Sequence, residues 1–403
     1  MIVLQIIFWV SFISLAHTYV IYPLLLKFLA STKKIEAKDT NQEKPNVSIL
    51  IPAYNEEKII RQKLESIYAS DYPKEKIEII VGSDASTDGT NEIVKSFPEV
   101  HLVYFRGRSG KPKVMNMLAV LAKNQTLILT DANVLFDKNT ISELTKHFAN
   151  PEIALVDSNM ININQQGKGI SKAESTYIRG EVGIKNNEGK VFGMMMGPFG
   201  GCYAVRKSFY SPVPENFLVD DFYINMKVLE KGGQAISEIN AKVYEEVPAD
   251  WKIEFKRKIR IAAGSFQNLF AFTRLLFRFN KLSFCFFSHK VLRWFGPFFM
   301  IALYISTFLL SIASAYIYFE WGRGSIWGSF PYGAGMYFYL PVFFLQNLLI
   351  ALFIIDIILS VLRIPSPTRL FTHFFSTNLA LLIGFFKFLG GVKSSIWQPT
   401  KRT

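Results

Sequence analysis

The 403-residue chain is 50% hydrophobic, carries a formal net charge of +13 and contains only two cysteines. Cys202 and Cys285 exclude a disulfide framework and match no metal-ligand spacing, in keeping with a reducing compartment. Length alone would allow two soluble domains, but the apolar residues gather at the two ends and leave a polar middle, which argues against a wholly soluble protein.

Residues 3–29 hold no acidic side chain and Lys27 as the only base, enough at about 1.5 Å per residue to cross a ~30 Å hydrocarbon core. With no Lys or Arg before it, this run reads as a span and not as a cleaved leader. Residues 36–46 form a linker. The run 47–52 then ends at Pro52, and residues 56–69 place Ile59, Ile60, Leu64 and Ile67 at helical spacing, predicting strand, loop and helix. Residues 77–81 predict the next strand and 91–96 a helix, with further strands over 102–105 and 126–130. Strands alternating with helices predict a parallel sheet that binds ligands at its strand C-termini.

Residues 252–293 contain ten Lys and Arg against Glu254 alone, and Phe255, Ile259, Phe266, Leu269, Phe270 and Leu276 make 254–283 amphipathic. Positive charge beside spans marks the cytosolic side, which places the polar middle in the cytosol and the N-terminus outside. Beside a span, such a basic run fits an anionic membrane surface better than nucleic acid, so no nucleic-acid partner is expected. Residues 294–319 and 337–362 predict two more spans. The stretch 370–390, interrupted by His373, Asn378 and Lys387, either crosses or re-enters. A crossing there conflicts with Lys393, Lys401 and Arg402, which favour the cytosol. The domains are therefore 1–30 (first span), 31–250 (cytosolic domain), 251–290 (basic interface helices) and 291–403 (two to three spans).

Four polar segments carry candidate chemistry. Asp84 ends a predicted buried strand, where a carboxylate accepts hydrogen bonds from a ribose or base, while Asp88 reads as a helix cap. Asp131-Ala-Asn133 offers two oxygen ligands on one side of an extended segment, suited to Mg2+ or Mn2+ on a diphosphate; an Asx turn fits the same triplet. Gly107-Arg-Ser-Gly-Lys111 with Asn116 offers backbone and cation for phosphate, or a solvated basic turn. Asp220-Asp221 starts a helix and serves either as a cap or as a general base. Arg257 and Arg260 share one helix face and meet either a leaving diphosphate or lipid headgroups.

Taken together, Val47-Ser-Ile-Leu-Ile-Pro-Ala-Tyr-Asn-Glu56, Asp84 and Gly110-Lys111…Asn116, with the acidic and basic segments after them, resemble the membrane-integrated family 2 glycosyltransferases, the branch of cellulose, hyaluronan and poly-N-acetylglucosamine synthases. The resemblance covers residues 45–264. It implies an α/β domain of GT-A fold, Rossmann-like and built for nucleotide-diphospho-sugars, set between transmembrane helices. It further implies that Pro52, Tyr54, Glu56 and Asp84 hold uridine, that Lys111 and Asp131 lie at the nucleotide diphosphate with a divalent metal on Asp131 and Asn133, and that Gly200-Gly201 lets substrate approach. Asp221 matches the catalytic base, with Asp220 beside it, and Arg260 matches a phosphate cation. Two departures stand out: Asn133 replaces the second Asp of Asp-x-Asp, and Ile261 replaces the aromatic residue of Gln-x-x-Arg-Trp that processive synthases place at the acceptor.

The expectation is an inverting transferase moving sugar from UDP to a glycan or lipid-linked acceptor at the cytosolic face of a bacterial inner or plasma membrane. Its alternatives are a polymerase or a single-sugar transferase and, from another class, a catalytically silent scaffold or nucleotide sensor.

Overall fold

A computed structural model describes residues 1–33, 43–163, 170–246, 251–321, 334–362, 364, 369–392 and 394–396. Most of the expected linker, the basic residues Lys393, Lys401 and Arg402, and Arg323 of the loop between the later spans lie outside the described residues.

The polar middle of the chain is built on one eight-stranded sheet of order β3-β2-β1-β4-β7-β6-β8-β5. Its strands are β1 (Val47–Ala53), β2 (Ile77–Ser83), β3 (Val100–Tyr104), β4 (Thr126–Thr130), β5 (Val134–Phe136), β6 (Ile153–Ile163), β7 (Cys202–Arg206) and β8 (Gln234–Glu246). The predicted parallel sheet holds for β1–β4. Beyond β4 the sheet is mixed, because β7 runs antiparallel to both β4 and β6, and β5 antiparallel to β8. Strands and helices alternate along that half too, but β7 and β5 enter the sheet in the reverse direction, so alternation alone does not fix the pairing there.

The reversal positions the site. Because β7 runs against β4, Cys202 pairs with Thr130, and the start of one strand meets the end of the other. Val134 likewise lies opposite Glu245. Residues 131–133 are thereby flanked by Gly201 on one side and Glu245 on the other.

The helices that matter are α1 (Ile2–Ala30), α2 (Ile60–Tyr68), α3 (Thr90–Lys95), α4 (Lys111–Leu121), α5 (Thr140–Thr145), α6 (Ile170–Phe192), α7 (Asp220–Glu230), α8 (Trp251–Ala271), α9 (Gly296–Trp321), α10 (Ala334–Val361) and α11 (Arg369–Leu389). One face of the sheet packs on α2, α3 and α5 through Ile60, Leu64, Val94, Ile141 and Leu144. The other packs on α4, α7 and α8 through Val114, Leu118, Ile224, Met226 and Phe266, where the core continues into Phe286 and Trp294 next to the apolar helices. Four helices are long and apolar enough to cross a membrane: Ile2–Ala30, Gly296–Ile317, Tyr337–Leu359 and Phe371–Leu389.

A buried ionic cluster fastens the domain to that apolar bundle. Glu181 on α6 accepts from Lys290 at 2.6 Å and also pairs with Arg293, and His289 bridges Glu181 at 2.9 Å and Glu188 at 2.8 Å. The hydroxyl of Tyr22 on α1 donates to Glu188 at 2.8 Å. The surrounding cations hold the buried Glu181 carboxyl well below its ordinary range, against the opposite push of burial.

The stretch 370–390 forms α11, and both its ends meet the catalytic side. Near its start His373 lies 3.0 Å from Lys258 of α8. Along its length Phe385 packs edge-on against Phe266 at 5.0 Å. Beyond its end the Ser395 hydroxyl donates to the Glu215 carbonyl at 2.5 Å and fills the space where a Cβ on Gly110 would stand. Gly110 has φ +87°, a conformation L side chains rarely adopt, so the loop before α4 is shaped for glycine and for this tail.

Candidate active site

The site lies at the C-terminal ends of β1, β2 and β4 and the N-termini of α4 and α7. Asp84 follows β2, is fully buried and donates its N–H to the Ala53 carbonyl of β1 at 2.8 Å. Its carboxylate accepts from Ser109 N at 2.6 Å, Gly110 N at 3.2 Å and Arg108 Nε at 3.1 Å. The Arg108 guanidinium in turn lies over the Tyr54 ring, 3.2 Å from its centroid. The Arg108 guanidinium therefore bridges the Tyr54 ring and the buried Asp84 carboxylate; Pro52 lies inside β1, paired with Gly82. The Glu56 N–H donates to the Thr90 hydroxyl at 2.8 Å, tying the first loop to the second.

Asp88 accepts from Thr90 N at 3.1 Å in a turn just before α3, whose N-cap is Gly89 and not Asp88. Asn116 departs from expectation. Its amide accepts from Tyr210 Oη and Val213 N and donates to the Val213 carbonyl, which pins the 210–213 segment on α4 and occupies both ends of the amide.

Lys111, the first residue of α4, lies 2.7 Å from Asp131 and 3.8 Å from Asp220. Asp131 is held by its own N–H, which donates to Gly201 O at 3.0 Å. Asn133 donates through Nδ2 to Glu245 Oε1 at 2.9 Å. At the start of α7, Asp220 is buried, and Asp221 accepts from Phe222 N at 2.7 Å. Burial, and then the adjacent Asp220, raise the Asp221 carboxyl to about 7, against the opposing pull of Lys111. Gly200, with φ +82°, faces it: a Cβ there would stand 2.3 Å from Asp221 Oδ2.

Arg260 donates to the Leu218 carbonyl at 3.1 Å, just before α7. Its charge is favoured by Asp220, Asp131 and Asp221, although burial and Arg257 lower its pKa. Arg257 pairs with Glu254 at 2.8 Å on the same helix. Of the two arginines, Arg260 is thus the one whose field is shared with the three aspartates.

Several supporting residues escaped the sequence reading. Lys63 is fully buried on α2 beneath β4, donating to the Thr130 hydroxyl at 2.9 Å and to the Val134 carbonyl, so it clasps both ends of the 131–133 turn. Burial lowers its pKa to about 7. Its signal was present, since it falls on the apolar face with Ile60 and Ile67. The buried pair Asp157–Lys185, at 2.9 Å, left no such signal; Asp157 accepts from Phe199 N and so steadies the backbone beside Gly200.

We expect Asp84→Ala to raise the donor KM by roughly ten- to a hundredfold with a smaller change in kcat, because two loop N–H groups lose their buried acceptor and the slot its polar wall. Steady-state kinetics over a donor series checks this.

A sheet with this order, whose parallel half carries Asp84 and Asp131 at its strand C-terminal ends, defines a GT-A-like, Rossmann-type fold. Residues 48–211 match the model of glycosyl transferase family 2, so the chain carries a glycosyltransferase domain of that family. It is 26% identical over 260 residues to the probable glycosyltransferase YdaM of Bacillus subtilis, covering 61% of this chain and 60% of that protein. It is 27% identical over 143 residues to the poly-beta-1,6-N-acetyl-D-glucosamine synthase of Staphylococcus epidermidis, a match covering 34% of each. The chain thus spans less than two thirds of these relatives. In fold it is similar to a mannosyltransferase of Pyrobaculum calidifontis solved with GDP-Man and Mn2+, with a TM-score of 0.67, 21% identity and coverage of 95% of this chain and 99% of that one.

Proposed function

We propose that the chain is an inverting glycosyltransferase that moves one sugar from a nucleoside-diphosphate donor to a glycan or lipid-linked acceptor at the membrane surface. The observation that carries this reading is Asp221, a carboxylate raised to about 7 by burial and close enough to Lys111 and Asp131 to feel their charges. Asp221 takes the proton of the acceptor hydroxyl, whose oxygen attacks the anomeric carbon from the face opposite the departing diphosphate. Lys111 and Arg260 meet the charge that builds on the leaving oxygens. Tyr54 stacks on the base once Arg108 withdraws, and Pro52, Glu56 and Asp84 complete the nucleoside slot. Gly200 keeps the approach to Asp221 clear, Gly201 makes room for Met160 and Val134 beside the 131–133 turn, and Asp220 orients the start of α7.

Asp131 and Asn133 fit a divalent cation, Mg2+ or Mn2+. Glu245 engages the amide nitrogen of Asn133, which turns its oxygen outward beside Asp131. Among the described residues no three His, Cys, Asp or Glu side chains group to hold a metal, so the diphosphate oxygens must complete the shell. When bound, the ion neutralises the diphosphate.

The membrane reading is three crossings, with α11 lying along the catalytic side. It is supported by the contacts of His373 and Ser395 with that side, and it removes the charge conflict of a fourth crossing. Phe270, Phe277 and Phe279, which are 78%, 70% and 89% exposed, stand beside Arg274, Arg278 and Lys281 and supply apolar and cationic contact with anionic lipid. This orientation places the active site in the cytosol. Ile261, which lacks an aromatic face, favours single transfer over processive synthesis.

The test is a donor screen on the purified chain with UDP-glucose, UDP-N-acetylglucosamine, UDP-galactose and GDP-mannose, reading nucleotide release and product length. Release dependent on a lipid or glycan acceptor with one sugar added is the expected result. Long products would replace single transfer by polymerisation, and no release with any donor would leave the scaffold or nucleotide-sensor reading.

A further inference from the structure

The amide at position 133 raises a charge problem. A divalent cation on a diphosphate is met by one or two carboxylates together with phosphate oxygens, and in this turn Asp131 is the one carboxylate, Asn133 contributing none. The mixed half of the sheet brings one back from elsewhere. The antiparallel pairing of β5 with β8 sets Val134 opposite Glu245, so the Glu245 side chain reaches the residue just before Val134 and accepts from Asn133 Nδ2 at 2.9 Å.

Two consequences follow from that one bond. The carboxylate selects the amide orientation, because the opposite flip would set the amide oxygen against the carboxylate oxygen. It also sets a carboxylate against the amide nitrogen, and an N–H donated to a carboxylate shifts electron density onto the amide oxygen, as outer-shell carboxylates do for ligands at metal sites.

We propose that Glu245 is the positioning residue of the cation site, supplying through Asn133 the charge and orientation that an aspartate at position 133 would have supplied itself. The inference rests on the cation assignment made under the proposed function. It treats Asn133 and Glu245 as one divided ligand, with the oxygen on one strand and the charge on another.

Binding of Mn2+ to the purified full chain, followed by electron paramagnetic resonance with UDP and separately with GDP, tests it without turnover. Glu245→Gln is expected to weaken Mn2+ binding by roughly ten- to a hundredfold, with a thermal midpoint close to that of the wild type. The double variant Asn133→Asp/Glu245→Gln is expected to restore binding to within a few-fold. A role for Glu245 limited to holding β8 against β5 would not be repaired by changing position 133.

Unchanged Mn2+ binding in Glu245→Gln overturns the proposal, as does a double variant no better than the single one; neither result touches the cation assignment. Absence of Mn2+ binding to the wild-type chain with either nucleotide overturns the cation assignment, and the role of Glu245 falls with it.

Discussion

Asp221→Asn is expected to lower kcat by about 10²- to 10⁴-fold, the usual contribution of a positioned general base, while donor binding stays within a few-fold. The amide is nearly the same shape and keeps an oxygen for the Phe222 N–H, so the start of α7 is preserved. What disappears is the proton acceptor. The wild-type pH profile provides the companion measurement. A base works only when ionised, and burial together with Asp220 raises this carboxyl to about 7. Rate should therefore hold above that pH and fall about tenfold per unit below it. Lys111 lowers the Asp221 pKa, so Lys111→Met should move the acid limb to higher pH. A flat profile between pH 5 and 8 in the wild type, or an active Asp221→Asn enzyme, would remove Asp221 from the base role.

Gly200→Ala should be nearly as damaging, for a steric reason. The new Cβ would stand 2.3 Å from Asp221 Oδ2 and 3.0 Å from its Cγ, and the backbone at φ +82° penalises any L side chain by about 1–2 kcal/mol. Either the 199–201 segment or the Asp221 carboxylate must move. A displacement near 1 Å of a reacting group costs on the order of 10²-fold in rate. We expect kcat to fall by that factor while donor affinity changes little and the fold persists, checked by kinetics beside a thermal melt. Wild-type turnover in Gly200→Ala would show that the segment has room to yield and that the approach to Asp221 is not confined there.

The parts of the site written locally were legible in the sequence. Asp84 and Asp131 close apolar β-branched runs, and Asp220-Asp221 opens a helix, so periodicity placed each at the end of an element. The parallel half of the sheet followed from the same alternation. The parts that depend on distant pairing were not legible. No local pattern announces that β7 enters antiparallel beside β4, or that β8 brings Glu245 to Asn133. Lys63 carried a local signal, a charge on an apolar helical face, but its partners Thr130 and Val134 come from another part of the chain. Asn116 erred the other way: an amide near a glycine-lysine turn reads as a phosphate ligand until Tyr210 and Val213 are seen to occupy it. Hydropathy gave the length of α11 without its neighbours, which include Lys258 of α8 and, beyond its end, Glu215.

The tail at Ser395 also sets a timetable for biosynthesis. Its partner Glu215 is made 180 residues earlier, and Gly110 earlier still. At about 5–20 residues per second, the ribosome needs roughly ten to forty seconds to cover that interval. Throughout it, the membrane helices are being laid down while the turn before α4 lacks the segment that packs on it. A nascent chain can therefore complete its strands well before the turn at Gly110 gains the segment that packs on it.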